Sequence, residues 1–148
     1  QTQFGNPSSR HRYGRLARAA LDQAREQVAA LVGAQASQVV FTSGGAESNQ
    51  LALLGSIAGQ ATGQAAGRLA CSAIEHPSLS AAAEVLQRQG WHLDSLAVDA
   101  QGRLQLPPQG LHHQTRLVSV MLANNETGVV QDLAPVVEAA QRVGAVVH

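Results

Sequence analysis

Gln38-Val39-Val40-Phe41-Thr42-Ser43-Gly44-Gly45, followed by Ala46 to Ile57, is the stretch on which the fold turns. Gln38 to Thr42 is short and β-branched, which predicts a strand. Ser43-Gly44-Gly45 predicts a tight turn, and Ala46 to Ile57 a helix. The same alternation continues outward on both sides. Upstream, Leu16, Ala20, Leu21, Ala24, Val28, Leu31 and Val32 recur at helical spacing, and Gly33 stands where a C-terminal cap belongs. Downstream, Gly59 to Gly67 reads as a surface loop and Leu69 to Ile74 as a buried strand. Pro77 suits the first turn of a helix running to about Gln89. Trp91 to Val98 is strand-like, and Pro107-Pro108 with Gly110 marks a loop. Leu117 to Ala123 is the most apolar strand. Asp132 caps a helix that ends near Gly144, and His148 closes a further strand. This order predicts an α/β domain with a mostly parallel sheet, helices on both faces and right-handed crossovers.

In such sheets ligands bind beyond the carboxyl ends of the strands. Three turns leave a strand and carry polar residues: Ser43 to Glu47, Glu75 to Ser78, and Asn124 to Gly128. Gathered on one rim, they would form one site.

The bulk numbers narrow the class. Apolar residues are 45% of the 148, enough for a sizeable core, while aromatics are 3%, so Ala, Val and Leu must fill it. Ten basic and ten acidic residues balance to a formal charge of +0, which removes any electrostatic reason to expect nucleic acid or an anionic membrane as partner. All ten basic residues are Arg, so the chain offers no Lys amine. A single cysteine, Cys71, excludes an internal disulfide and fits a reducing compartment. With no long apolar run and no signal-peptide pattern, the cytoplasm is the expected location. Both ends read as cut: Gln1 is not an initiator, and Ala145-Val146-Val147-His148 is an apolar run without a turn signal. The expectation is one partial domain of a longer chain.

Each polar turn has a plain and a functional reading. The Thr42 to Ser48 segment is either a glycine turn capped by Ser43 or a phosphate cradle at a helix N-terminus. It is not a Walker loop, because the Lys is absent and the spacing differs. His76 is either a helix-start residue or an imidazole laid on a flat ring and available for proton transfer. Asn124-Asn125-Glu126-Thr127-Gly128 is either turn chemistry or a source of one amide donor to a ligand oxygen. Phe4 to Gly14 reads as a polar loop. Adjacent His112 and His113 are expected to point apart, which disfavours a metal. Cys71, within an apolar strand, reads as a small hydrophobe.

Four of these segments together resemble the cysteine desulfurases, pyridoxal 5'-phosphate (PLP) enzymes of fold type I akin to the class V aminotransferases. They are Phe-Gly-Asn-Pro-Ser-Ser at 4–9, Val-Phe-Thr-Ser-Gly-Gly-Ala-Glu-Ser-Asn at 40–49, Glu-His at 75–76, and Asn-Asn-Glu-Thr-Gly-Val-Val-Gln at 124–131. Order and spacing agree along nearly the whole chain. The resemblance implies part of the large, PLP-binding domain. It implies that the backbone at Gly45 and Ala46 holds the PLP phosphate, that His76 lies over the pyridine ring as a catalytic proton-transfer group, and that Asn125 hydrogen-bonds the phenolic oxygen. The family commonly has Thr where this chain has Ala46, which removes one phosphate hydroxyl contact.

The implied reaction converts L-cysteine to L-alanine and passes the sulfur, as an enzyme persulfide, to an acceptor or scaffold protein such as those of iron–sulfur cluster assembly. It needs a Lys for a Schiff base, an Asp at the pyridine nitrogen and a nucleophilic Cys. By the resemblance all three fall after His148, and Cys71 is not the persulfide residue. A homodimer is implied for the full-length protein. Two other readings stand beside this one: a selenocysteine lyase or other class V relative, and a non-catalytic scaffold or dimerisation module of the same fold.

Overall fold

The computed structural model describes residues 4–58 and 66–148. The predicted loop at Gly59 to Gly67 therefore lies almost wholly outside the described residues. The chain divides into two compact units, residues 1–42 and 43–148.

The first unit is built on helix α1, Arg12–Val32. It starts four residues before the predicted apolar stripe, because His11 caps it: the His11 Nδ1 accepts the Gly14 N–H at 3.2 Å. Gly14 is buried, and a Cβ on it would stand 2.3 Å from the Ser9 carbonyl oxygen, so the absence of a side chain there lets the 6–9 loop lie against the helix. Gly33 ends the helix in the left-handed conformation (φ 68°), as its position predicts. The predicted apolar stripe is largely uncovered: Leu31 is 85% and Val32 66% exposed.

The predicted strand at 38–42 does not form. Ala36–Gln38 is a short 3-10 turn, and residues 39–42 pair with no strand among the described residues. Composition favours strand there, but a strand exists only when a neighbour accepts and supplies its backbone hydrogen bonds. Phe41 instead lies under the Arg25 guanidinium, 5.4 Å from ring centre to charge.

The second unit holds helix α2 (Gly45–Ala58), strand β1 (Arg68–Ser72), helix α3 (Pro77–Arg88), strand β2 (His92–Leu96), strand β3 (Thr115–Ser119), helix α4 (Ala134–Val143) and strand β4 (Val146–Val147). The strands form one sheet in the order β2-β1-β3-β4, parallel throughout. Pro77 is in the first turn of α3, and Gly144 ends α4 at φ 69°. Asp132 accepts the Ala134 N–H at 3.1 Å, one residue before the cap position proper, which is Leu133. Strand β3 stops at Ser119, earlier than its apolar run predicts.

Alternation along the strands divides the core. Leu69, Cys71 and Leu117 pack with Leu53 of α2 and with Leu79 and Leu86 of α3. Ala70, Val118 and Val120 point the other way, against Val136 and Ala140 of α4 and against Leu104, Leu106 and Leu111 of the β2–β3 connection. Fully burying one such leucine is worth roughly 1.5–3 kcal/mol. The predicted α/β architecture therefore holds, with helices on both faces.

Candidate active site

From β1 the chain passes through α3 on one face to β2. It then crosses to the opposite side of β1, forms β3, and continues through α4 on the other face. The strand order thus reverses between β1 and β3. A crevice opens at such a switch point beyond the carboxyl ends of the two strands. The segments leaving those ends are Ala73 to His76 and Val120 to Gly128, which hold two of the three predicted polar turns.

Side chains tie these segments together. A Glu75 carboxylate oxygen accepts the Met121 N–H. Asn124 Nδ2 donates to the Ile74 carbonyl at 3.3 Å. Helix α2 joins them through Asn49, whose Nδ2 donates to Ser78 Oγ at 2.9 Å. These contacts join the Glu75 to Ser78 and Asn124 to Gly128 turns directly and reach the third predicted turn, Ser43 to Glu47, only through the helix that follows it.

His76 is the cap residue of α3, with Nδ1 accepting the Ser78 N–H at 3.2 Å and 2.9 Å from Ser78 Oγ. The plain helix-start reading is therefore real. It also orients the exposed ring, and Nε2 engages no group among the described residues.

The two asparagines differ sharply. Asn124 is buried, and its Oδ1 accepts the N–H groups of Glu126 and Thr127, each at 2.9 Å. It is the turn-former. Asn125 is exposed, and its amide is not spent on the turn.

At the start of α2, Glu47 reaches back to Ser43, accepting both its N–H and its Oγ–H at 2.6 Å. These bonds hold the Glu47 carboxyl below its usual range. Ser43 is therefore a donor to Glu47 and not the side-chain cap that its position suggests. A Cβ on Gly45 would meet nothing within 4 Å, so space opens beside the first helical N–H groups.

Sequence reading passed over two features of this rim. One is the Glu75 clamp. The other is Ser119, fully buried, whose Oγ lies 3.0 Å from His148 Nδ1. Burial lowers the His148 pKa and favours its neutral form. The signal for Ser119 was a hydroxyl within the apolar run Leu117 to Met121. Cys71 is buried, and burial, then the nearby Glu75 charge, pushes its thiol up to about 12. It carries no thiolate at neutral pH.

Burial also raises the Glu75 pKa, against the lowering effect of the Met121 N–H. A carboxyl raised in the folded state binds its proton more tightly there than when unfolded. Its contribution to stability is therefore greatest at low pH and falls as pH rises through the raised pKa. Glu75→Ala should cost about 1 kcal/mol or somewhat more by orphaning the Met121 N–H. Glu75→Gln keeps an acceptor and no charge, so it should hold stability near neutral pH and flatten the profile above the ordinary carboxyl range. Denaturant melts of the full-length protein between pH 4 and 8 check this. Equal losses for both variants would discard the clamp.

Comparison with known proteins is consistent with this geometry. Residues 1–148 match the family described as aminotransferase class-V. "Cysteine desulfurase 2" of Trichormus variabilis is 38% identical over 98% of this chain and 36% of that protein. "Cysteine desulfurase IscS" of Klebsiella pneumoniae subsp. pneumoniae is 39% identical over 98% of this chain and 36% of its own length. Among solved structures, a "NifS-like protein" superposes with a TM-score of 0.89 at 28% identity, over 100% of this chain and 41% of that one. "SspA in complex with cysteine" gives 0.85 at 32%, over 99% and 42%. The chain thus spans little more than a third of the length of the relatives it matches.

Proposed function

Because this chain belongs to the aminotransferase class-V family, a PLP-dependent group, we propose that it forms the PLP-phosphate half of the active site of a cysteine desulfurase, which converts L-cysteine to L-alanine and hands the sulfur to an acceptor protein. The observation that carries the reading is the joining of the α2, α3 and 120–128 turns at the β1/β3 switch point by Asn49–Ser78, Glu75–Met121 and Asn124–Ile74. The cysteine named in the SspA structure favours cysteine as substrate. A homodimer and a sulfur-acceptor partner follow from the same kinship.

The residues present fit the cofactor. At the start of α2 the Gly45 and Ala46 N–H groups and the helix dipole favour an anion. Glu47, the nearest negative charge, is drawn onto Ser43. Ala46 brings no hydroxyl, so the backbone must supply this segment's phosphate affinity. His76, held by Ser78, would lie on the pyridine ring and hold or move a proton at Nε2. Asn125 would donate to the phenolic oxygen, while Asn124 keeps the turn that presents it. PLP, when bound, supplies the electron sink. Among the described residues no helix is long and apolar enough to cross a membrane.

The test is PLP affinity of the full-length apoenzyme by equilibrium dialysis. Gly45→Val should weaken binding sharply while leaving the fold intact, since its side chain enters open space in the protein and crowds only a guest. Ala46→Thr should strengthen binding or leave it unchanged, a hydroxyl adding about 1 kcal/mol. If Gly45→Val binds PLP as tightly as the parent, the phosphate sits elsewhere.

A further inference from the structure

Six histidines stand in the chain, and their hydrogen bonds sort them. The Nδ1 atoms of His11 and His76 accept the N–H groups of Gly14 and Ser78 and cap helices. His112 Nδ1 accepts the Gln114 N–H at 3.1 Å. Contrary to the sequence expectation, the His112 and His113 rings do not point apart: they stack with centroids 4.3 Å apart and planes at 29°. His92 Nδ1 lies 3.5 Å from Asp94. His148 differs from all of these among the described residues, because its Nδ1 faces a fully buried hydroxyl, Ser119 Oγ, at 3.0 Å.

The backbone fixes that contact. The His148 N–H donates to the Val118 carbonyl at 2.8 Å, and its carbonyl accepts the Val120 N–H at 3.0 Å, so the two bonds bracket Ser119. Val120 is also the root of the 120–128 segment that carries Met121 and Asn125. Side chains alternate along a strand, so Ser119 shares the face of Leu117, against which α2 and α3 pack. The His148 ring therefore stands at the carboxyl end of the sheet, on the side that bears α2 and α3. A hydroxyl buried this deeply must spend its proton, and His148 Nδ1 is the acceptor it meets among the described residues. Ser119 Oγ–H thus donates to Nδ1, which leaves the proton of the neutral ring on Nε2. Reversing the bond would strand the hydroxyl proton in the core.

We propose that Ser119 is a positioning residue of the PLP half-site: it fixes the His148 ring with its proton on Nε2, so that His148 serves there as an uncharged N–H donor. The inference rests on the PLP reading above, and it leaves proton movement to His76. The surroundings of the pair agree. Burial lowers the His148 pKa. Cys71, the register partner of Ser119 on β1, is neutral with its thiol pushed up to about 12, and the Glu75 carboxyl that follows β1 is itself raised. On the other face α4 brings Glu138 and Arg142, which pair with each other at 3.5 Å.

Imidazole nitrogen NMR of the full-length protein with isotope-labelled histidine tests this, first without PLP and then with it. His148→Gln assigns the signal. In the parent at neutral pH the ring should be uncharged with its proton on Nε2. Ser119→Ala should raise the proton affinity of His148 several-fold, up to about 10-fold, the effect of one lost hydrogen bond to the neutral form. Ser119→Thr, which keeps the hydroxyl, should hold the parent's titration midpoint. Loading with PLP should shift the Nε2 signal while the ring stays uncharged. A proton on Nδ1, a charged ring at neutral pH, a midpoint indifferent to Ser119→Ala, or an Nε2 signal indifferent to bound PLP would each overturn the proposal. The parent's own tautomer decides the matter even where the alanine variant folds poorly. PLP binding is read separately by dialysis, so a protein that binds no PLP fails the earlier reading, while the PLP-free signals still judge the Ser119–His148 bond.

Discussion

The 148-residue chain supplied with PLP is expected to release no alanine from L-cysteine above the rate of PLP free in solution. Desulfurase chemistry needs a side-chain amine that can lose its proton and join the PLP aldehyde. All ten basic residues here are arginines, whose guanidinium stays protonated and cannot serve. The chemistry also needs a thiolate to accept sulfur, and the one cysteine is Cys71, buried in β1 with its thiol pushed up to about 12. Two independent requirements are thus unmet within these residues, and the expected effect is complete loss, not a slow rate. Alanine and sulfide are measured with PLP alone as the blank. Turnover clearly above the blank, or an absorption band of PLP joined covalently to the chain, would show that another amine substitutes and would overturn this expectation.

The second large effect concerns His76 in the full-length protein. Its ring has two separable duties. As the cap of α3 it accepts the Ser78 N–H, a contribution of about 0.5–2 kcal/mol to stability. As a group over the cofactor it would hold or move a proton at Nε2, and losing such a group typically costs on the order of 100-fold in turnover. Alanine removes both duties. Asparagine restores the cap, since its side-chain oxygen suits that position, but brings no imidazole. His76→Ala should therefore lower both the melting temperature and kcat. His76→Asn should recover the melting temperature and leave kcat about as low. PLP affinity should change less than kcat in both. If His76→Asn turns over like the parent, His76 is a helix cap and nothing more.

What was legible beforehand was local. Gly33 and Gly144 mark helix ends because the left-handed conformation is cheap only without a side chain, a property of the residue itself. Pro77 opens α3 because it lacks an N–H that would be unused there. Apolar runs at 69–74 and 117–123 had to hold buried strands, which end sooner, at Ser72 and Ser119, and strand–helix alternation made them parallel. The four motif segments lie in order along one chain, so their kinship was also readable without a fold.

What needed the tertiary structure was every choice among partners. The 38–42 segment has strand composition yet forms no strand, because its neighbour, not its own residues, decides pairing. Asn124 and Asn125 are identical in type and adjacent. Only burial of the first against Ile74 and the turn it closes assigns it to structure, while the second stays exposed. His112 and His113 were expected to diverge, and the path of their loop stacks them. Glu75 looked like a neighbour of His76, and a contact to Met121, 46 residues away, makes it the clamp of the rim. The strand order β2-β1-β3-β4 does the rest. A sequence proposes strands, whereas the side of β1 on which β3 settles is decided by the tertiary packing, and a crevice opens where a strand order reverses in this way.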